Sequence, residues 1–437
     1  MTLSSWQNWQ NGGGLALKSR LAALSPRFFE WPEGRALASP WAWAGLALLA
    51  TLVIPQPYAR FQWPLLERAA PIMWMVIAGM LVAVSGVARA SWPFALLIVW
   101  AGLRAGYHAF PLRSLQVLLL LLMAALLYAA ARDLPDRWAR RIGLCWVVGV
   151  GFEFLLGSLN AFGYYPWMTW IAPEHLGKPM GMLTHPNYWG SFMALGLPLA
   201  WAYFGLLAAA AIFVLILLTI SGGPVISAAV AALVMAWPLF SRPVRFLTAG
   251  AGVTSIIAVM TMHEWRLSGR REVWQVAWTE WLRWPMTGEG LGQWRAWADD
   301  YNRALGKFFV TLQAHNEPAQ LVFELGLIGL LLVGLWALQA WLAARQVWRA
   351  APAAILPGPA WMWGRAPLER AWVAVVAVAV VNSLGSPIFH LMPQAALALF
   401  ALARVQADAA ALGPARQSVL HERSKRPKRR AHAEARA

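Results

Sequence analysis

Apolar residues in this chain gather in long runs and rarely in the narrow stripes of a half-buried helix. A run of about eighteen or more residues with few charges has the length of a membrane-crossing helix, because about twenty residues at 1.5 Å rise cover the hydrocarbon of a bilayer. The pattern predicts about twelve such spans, near 40–56, 71–88, 92–103, 114–131, 142–160, 187–203, 205–220, 224–240, 246–262, 318–342, 371–389 and 392–404. The third and twelfth are short. The run 187–220 reads either as two tight spans or as one long helix with a re-entrant piece. The widest interval, 263–317, is polar and rich in tryptophan, and its end, His315-Asn316, leads directly into the next apolar run. A titratable imidazole is thereby expected where water meets lipid.

Composition agrees with the pattern. The chain has 437 residues, of which 59% are hydrophobic and 13% charged, too little polar surface for a soluble protein of this size. Helices satisfy their own backbone in lipid, so the predicted fold is all-α: a polytopic membrane bundle of about twelve transmembrane helices. Its divisions would be a cytoplasmic segment 1–39, a membrane domain 40–404 that includes a large outer-face loop at 263–317 with short interfacial helices, and a basic cytoplasmic tail 405–437. With the N-terminus placed in the cytoplasm, inward segments, counted with Arg404 at the inner end of the last span, hold 24 of the 36 Lys and Arg residues, and seven of the remaining 12 lie in the large loop. That bias predicts cytoplasmic termini and an outward-facing loop.

The net charge of +17 is concentrated in part at Lys425-Arg426-Pro427-Lys428-Arg429-Arg430. Without interleaved aromatic residues this tail is read as a contact for anionic lipid headgroups and not for nucleic acid. The one cysteine, Cys145, lies in an apolar run, which excludes an intramolecular disulfide. No cleavable signal peptide is visible in the first forty residues, although 15–31 has the make-up of an interfacial helix. No sequence repeat stands out.

Tryptophan is abundant, with 29 residues, and prefers the bilayer interface. In the large loop Trp274, Trp278 and Trp281 follow i, i+4, i+7 spacing, which predicts one helical face serving as a membrane-surface anchor or a sugar-stacking platform. Just before them, Ser268-Gly269-Arg270-Arg271-Glu272-Val273-Trp274 places two arginines where positive charge is disfavoured. Guanidinium forks match phosphate oxygens; the alternative is pairing with Glu264, Glu272 or Glu280, since the loop holds seven acids against seven cations. In Pro285-Met286-Thr287-Gly288-Glu289-Gly290-Leu291-Gly292 the glycines lack the preceding strand of a nucleotide loop. They are read as a turn that lets backbone approach a ligand or another helix. Asp299-Asp300 is read as solvated. Glu153 and Glu324 are acids at membrane depth and therefore functional candidates, whereas an interhelical hydrogen bond accounts for Asn382 and His390. A lone His315 is as readily structural as catalytic.

Taken together and in order, the Ser268–Trp274 segment, the Pro285–Gly292 segment, and His315-Asn316 followed by Gly326 and Gly329 resemble the O-antigen ligase/polymerase family. Gly181-Met182-Leu183-Thr184-His185-Pro186-Asn187 resembles that family's outer loop ahead of the middle spans. The likeness covers about residues 175–345. Where the family usually shows Ser-Arg at the end of a middle span, this chain has Ser221-Gly222.

The resemblance implies a metal-independent inverting glycosyltransferase without cofactor in the inner (cytoplasmic) membrane, with its active site facing the periplasm. Its donor would be a glycan on undecaprenyl diphosphate, and its acceptor lipid A core, a growing glycan or a pilin serine. Those acceptors would make it an O-antigen ligase, a polymerase or a protein O-glycosyltransferase, with ligase favoured by the spacing from the histidine to Gly326 and Gly329. In that reading His315 accepts or orients the acceptor proton. Arg270, with Arg271, stabilises the diphosphate, while Asn316, Glu324 and Gly326 support the site. A glycan- or ion-coupled transporter is the alternative of a different class.

Overall fold

A computed structural model describes residues 91–105, 111–165, 175–241, 243–244, 268–306, 314–351, 365–384 and 393–412. The expected spans at 40–56, 71–88 and 246–262, the segment 15–31 and the basic cluster of the tail lie outside these residues. Among the described residues the fold is helical, with no β-strand. Its helices are α1 (Trp92–Ala105), α2 (Pro111–Asp133), α3 (Asp136–Ala161), α4 (Pro186–Phe204), α5 (Leu206–Leu217), α6 (Gly222–Ala236), α7 (Ser268–Trp281), α8 (Gln293–Leu305), α9 (Glu317–Ala350), α10 (Leu368–Ser383) and α11 (Pro393–Leu412). Each of the nine expected spans that falls on described residues overlaps a helix there; residues 385–389 of the span expected at 371–389 lie outside them. Among the described residues four helical stretches are long and apolar enough to cross a membrane: Asp136–Ala161, Gly222–Leu239, Glu317–Ala350 and Pro393–Leu412. The last runs eight residues past the boundary expected at 404.

The ambiguous run 187–220 forms two helices. They meet at Gly205, whose φ of 94° is open to glycine and breaks the run between α4 and α5. Helix α4 is the centre of the bundle and packs on α3, α5, α6 and α10. Every residue from Tyr188 to Trp201 is buried, which is why this helix carries no polar stripe. Glycines let backbones approach there: a Cβ on Gly196 would run into Val150 of α3, and one on Gly190 into Pro224 of α6. Asn382 of α10 accepts from Ser227 Oγ at 2.6 Å and donates to the Ser191 carbonyl at 3.2 Å, tying α10 to α6 and α4.

Polar contacts sort the helix ends into two levels. At one end Arg404 of α11 donates to Asp136 of α3 at 2.5 Å and to the Leu134 carbonyl at 2.6 Å, while Arg140 lies beside Glu369 of α10. At the other end Asn316 of the α9 cap donates to the Leu384 carbonyl beyond α10. There, too, α3 meets the turn before α4, and α1 and α2 meet the segment 288–293. Successive spans alternate between these levels, as an up-and-down bundle requires.

Candidate functional site

The His315 corner is built by helix capping. Asn316 is the N-cap of α9: its extended backbone (φ −153°, ψ 107°) lets Oδ1 accept from Ala319 N–H at 2.9 Å, and Pro318 opens the first turn. Its Nδ2 reaches the Leu384 carbonyl at 3.1 Å. To enter this cap the chain turns at His315, which is half-buried and has φ 52°, a left-handed conformation that costs an L-residue about 1–2 kcal/mol. Ala314, just before it, is completely buried; its N–H donates to Gln320 Oε1 at 3.2 Å and its carbonyl accepts from Trp274 Nε1 at 3.0 Å.

From Gln320 a buried polar chain continues downward. Gln320 Nε2 donates to Glu324 Oε1 at 3.0 Å, and Glu324 Oε2 accepts from the Gly292 N–H at 2.9 Å. Gly292 is the N-cap of α8, so the carboxylate takes up an orphan donor at a helix start, where negative charge is favoured. Glu324 thus joins the His315 corner to α8. Its carboxylate holds the Gly292 backbone and the Gln320 side chain.

Below Glu324, helix α9 is broken at Gly326, whose φ 65° and ψ −166° belong to glycine territory. The break exposes backbone groups that lipid cannot satisfy, and the segment 285–290 fills the gap. Glu289 N–H donates to Phe323 O at 2.7 Å and Gly290 N–H to Glu324 O at 2.9 Å; Leu327 N–H donates to Pro285 O at 2.9 Å and Ile328 N–H to Met286 O at 3.3 Å. Trp100 Nε1 of α1 takes the Leu325 carbonyl at 2.9 Å. A Cβ on Gly326 would collide with the Met286 backbone, and one on Gly288 with the backbone of Glu324 to Gly326. The glycine-rich turn therefore approaches another helix, the second of the two uses open to it. Arg104 Nη2 donates to Gly288 O at 2.7 Å, and Ser114 Oγ to Leu291 O at 2.7 Å, so α1 and α2 hold the same segment from the other side. Burial raises the Glu289 carboxyl above the usual range, and Glu280 adds to this, opposed by Arg283 and Arg104.

Arg270 and Arg271 both lie in the first turn of α7. Their side chains lie outside the described residues. The register of the helix does place Arg270 one turn before Trp274, the residue bonded to Ala314. The tryptophan face needs correcting. Trp274 is half-buried and bonded inward, Trp281 is 9% exposed, and only Trp278, at 59%, looks outward. The spacing places residues on one face but does not say whether protein or membrane covers it; Trp274 packs against the small buried cluster of Val273, Ala277, Trp294, Ala298, Ala314 and Phe323, and Trp281 donates Nε1 to the Pro285 carbonyl.

No family model matches the chain, and no curated protein does either.

The remaining candidates have structural places. Glu153, buried in α3, accepts from Met182 N–H at 3.1 Å through Oε2, and Asn160 Oδ1 accepts from Gly181 N–H at 2.8 Å. Together they dock the turn that precedes α4. His185 caps α4, with Nδ1 accepting from Asn187 N–H at 3.1 Å, and its ring meets that of His175 edge-on. Asp300 is exposed and paired with Arg303 at 3.1 Å. Gly222 is exposed at the start of α6, with open space where a side chain would go. Among the described residues no group of three or more His, Cys, Asp or Glu is placed to hold a metal ion. Gln320, Trp100, Ser114 and Arg104 were not singled out from sequence. For Gln320 a signal existed, since i, i+4 spacing from Asn316 and to Glu324 puts all three on one face of α9.

Proposed function

We propose that this chain is a membrane-embedded inverting glycosyltransferase of the inner membrane. It would move a glycan from undecaprenyl diphosphate to an acceptor at the outer face, with lipid A core as the acceptor. The observation that carries the reading is the convergence at His315. A half-buried imidazole sits in a strained left-handed corner at the end of a transmembrane helix. Trp274 locks that corner to α7, a helix with two arginines in its first turn.

The chemistry suits these groups. The acceptor hydroxyl attacks the sugar C1 from the face opposite the diphosphate; the O–C1 bond forms as the C1–O bond to phosphate breaks, which inverts the anomeric centre. His315 takes the hydroxyl proton, and the leaving diphosphate carries away the electron pair. Charge growing on its oxygens is met by Arg270, with Arg271 in support, and by the amino-terminal end of α7. The left-handed corner favours a functional reading of the histidine, because strain of this kind persists where the surroundings hold it in place. The polar chain through Gln320 and Glu324 fixes the height of the corner relative to α8.

The test is transfer by purified protein in vesicles, with undecaprenyl-diphosphate-linked glycan as donor and lipid A core, glycan or pilin as alternative acceptors, and no ion gradient. Formation of glycosylated lipid A core supports the ligase reading. Glycan elongation or pilin modification would move the assignment to polymerase or protein O-glycosyltransferase. Absence of transfer to all three, together with gradient-dependent glycan movement, would make the protein a transporter.

A further inference from the structure

Segment 282–288 leads into the stretch 285–290 that fills a break in a membrane-spanning helix, which fixes its height relative to the bilayer. Residues 325–344 of α9 contain no Asp, Glu, Lys or Arg; Glu324 precedes them and Arg345 follows. Twenty uncharged residues at about 1.5 Å each match a hydrocarbon thickness of about 30 Å. The outer edge of the hydrocarbon therefore falls at Leu325–Gly326, the break itself. The Leu327–Pro285 and Ile328–Met286 backbone bonds hold residues 285 and 286 at that edge.

The outward surface of this segment is apolar. Trp278 is 59% exposed, Leu282 55%, Trp284 57% and Met286 54%. On a water-facing loop such a patch would be unusual, since exposed apolar surface of this kind normally has a partner. Here it continues into the lateral surface of the spans, through the exposed Leu327 on α9, whose own N–H is the donor to Pro285, and Leu103 on α1. The two tryptophans of the patch, Trp278 and Trp284, fit the depth, because the indole ring prefers the zone between headgroups and acyl chains. Arg283, the one charge within the segment, is turned to Glu280 at 2.7 Å.

We infer that the end of α7 and the turn after it, residues 278–286, form a membrane footing whose partner is the bilayer's own lipid, with Met286 among the upper acyl methylenes and Trp278 and Trp284 at headgroup depth. The footing does not depend on the glycosyltransferase reading. It sets the height of α7, and hence of the His315 corner, against the lipid surface and not only against the other helices.

Depth measurement tests this. In a Cys145→Ser background, which removes the only cysteine, nitroxide labels are placed by Leu282→Cys, Trp284→Cys and Met286→Cys. Leu331→Cys on the lipid side of α9 and Ala304→Cys on the exposed side of α8 serve as references. In phosphatidylcholine/phosphatidylglycerol vesicles, the label at 286 should favour relaxation by oxygen over a water-soluble nickel chelate, as at 331, with the opposite preference at 304 and intermediate ratios at 282 and 284. Nickel preference at 284 and 286 matching that at 304 overturns the footing. Dipolar broadening between Met286→Cys labels at low protein density also overturns it, and gives the patch to a second copy of the chain. All three labelled positions are exposed, so the substitutions empty no core. Hydroxyl-radical footprinting of the unsubstituted chain in the same vesicles is a second readout. Trp284 and Met286 should react less than the half-buried Tyr301, the reverse of the order their exposure within the protein alone predicts; the direct order overturns the footing.

Discussion

At His315 the backbone and the side chain make separate demands, and two substitutions separate them. His315→Ala keeps a Cβ in the left-handed region, whereas His315→Gly relieves a strain of about 1–2 kcal/mol. Both should lower transfer by about 10²–10⁴-fold, the usual contribution of a general base. Thermal unfolding in detergent should place Gly at or above the wild type and Ala close to it. A Gly variant that keeps more than about a tenth of wild-type turnover removes the imidazole from the reaction. The adjacent arginines differ by about 100° around α7. Arg270 is one turn from Trp274 and on the side that meets Ala314. Donor binding and turnover should thus fall strongly in Arg270→Lys, where a point charge replaces a fork, and only mildly in Arg271→Lys. Equal losses would mean that both arginines hold phosphate. Asn316 was readable as a cap from its place before Glu317-Pro318. The direction of Trp274 was not, since a helix face gives no sign of which neighbour covers it until the fold brings Ala314 alongside.

Among the elements, the described apolar helices were legible because length and lack of charge alone decide them, and even the divided run at Gly205 was one of two readings considered. The break in α9 was hidden. Leu325-Gly326-Leu327-Ile328-Gly329 looks like ordinary membrane helix, where glycine is common, and the segment that opens it lies about forty residues earlier in the sequence. Gly326→Ala adds a Cβ both at a glycine-only φ/ψ and against the Met286 backbone. The expected cost is at least about 2 kcal/mol, in the class of strained special positions, read as a lower unfolding temperature and faster proteolysis within 282–292. An unchanged Gly326→Ala protein would show that the break is not required. By contrast Gly334, farther along the same helix, has open space around its Cβ, and Gly334→Ala is the matched control.

For the whole molecule, the alternation of helix ends assigns every polar cluster to one of two levels. The level of Asn316 and α8 is the one predicted to face outward. An impermeant maleimide applied to intact spheroplasts should label Ala304→Cys, whereas Arg137→Cys, exposed beside the Arg404–Asp136 cluster, should react only after lysis. The reverse pattern would invert the topology and move the His315 corner to the cytoplasm. The interrupted helix also has a consequence for assembly. The segment 285–290 is made first and must wait at the surface with its donors and acceptors in water. Before it docks, α9 has no reason to open, because a break would leave carbonyls from Phe323 to Leu325 and the N–H groups of Leu327 and Ile328 facing lipid. The nascent span is therefore expected to enter the bilayer as a continuous rod that α1, through Trp100, and the loop together convert into two half-helices. Insertion and maturation would then be distinct events: a newly inserted copy would have its spans in place while the corner that carries His315 is still unset.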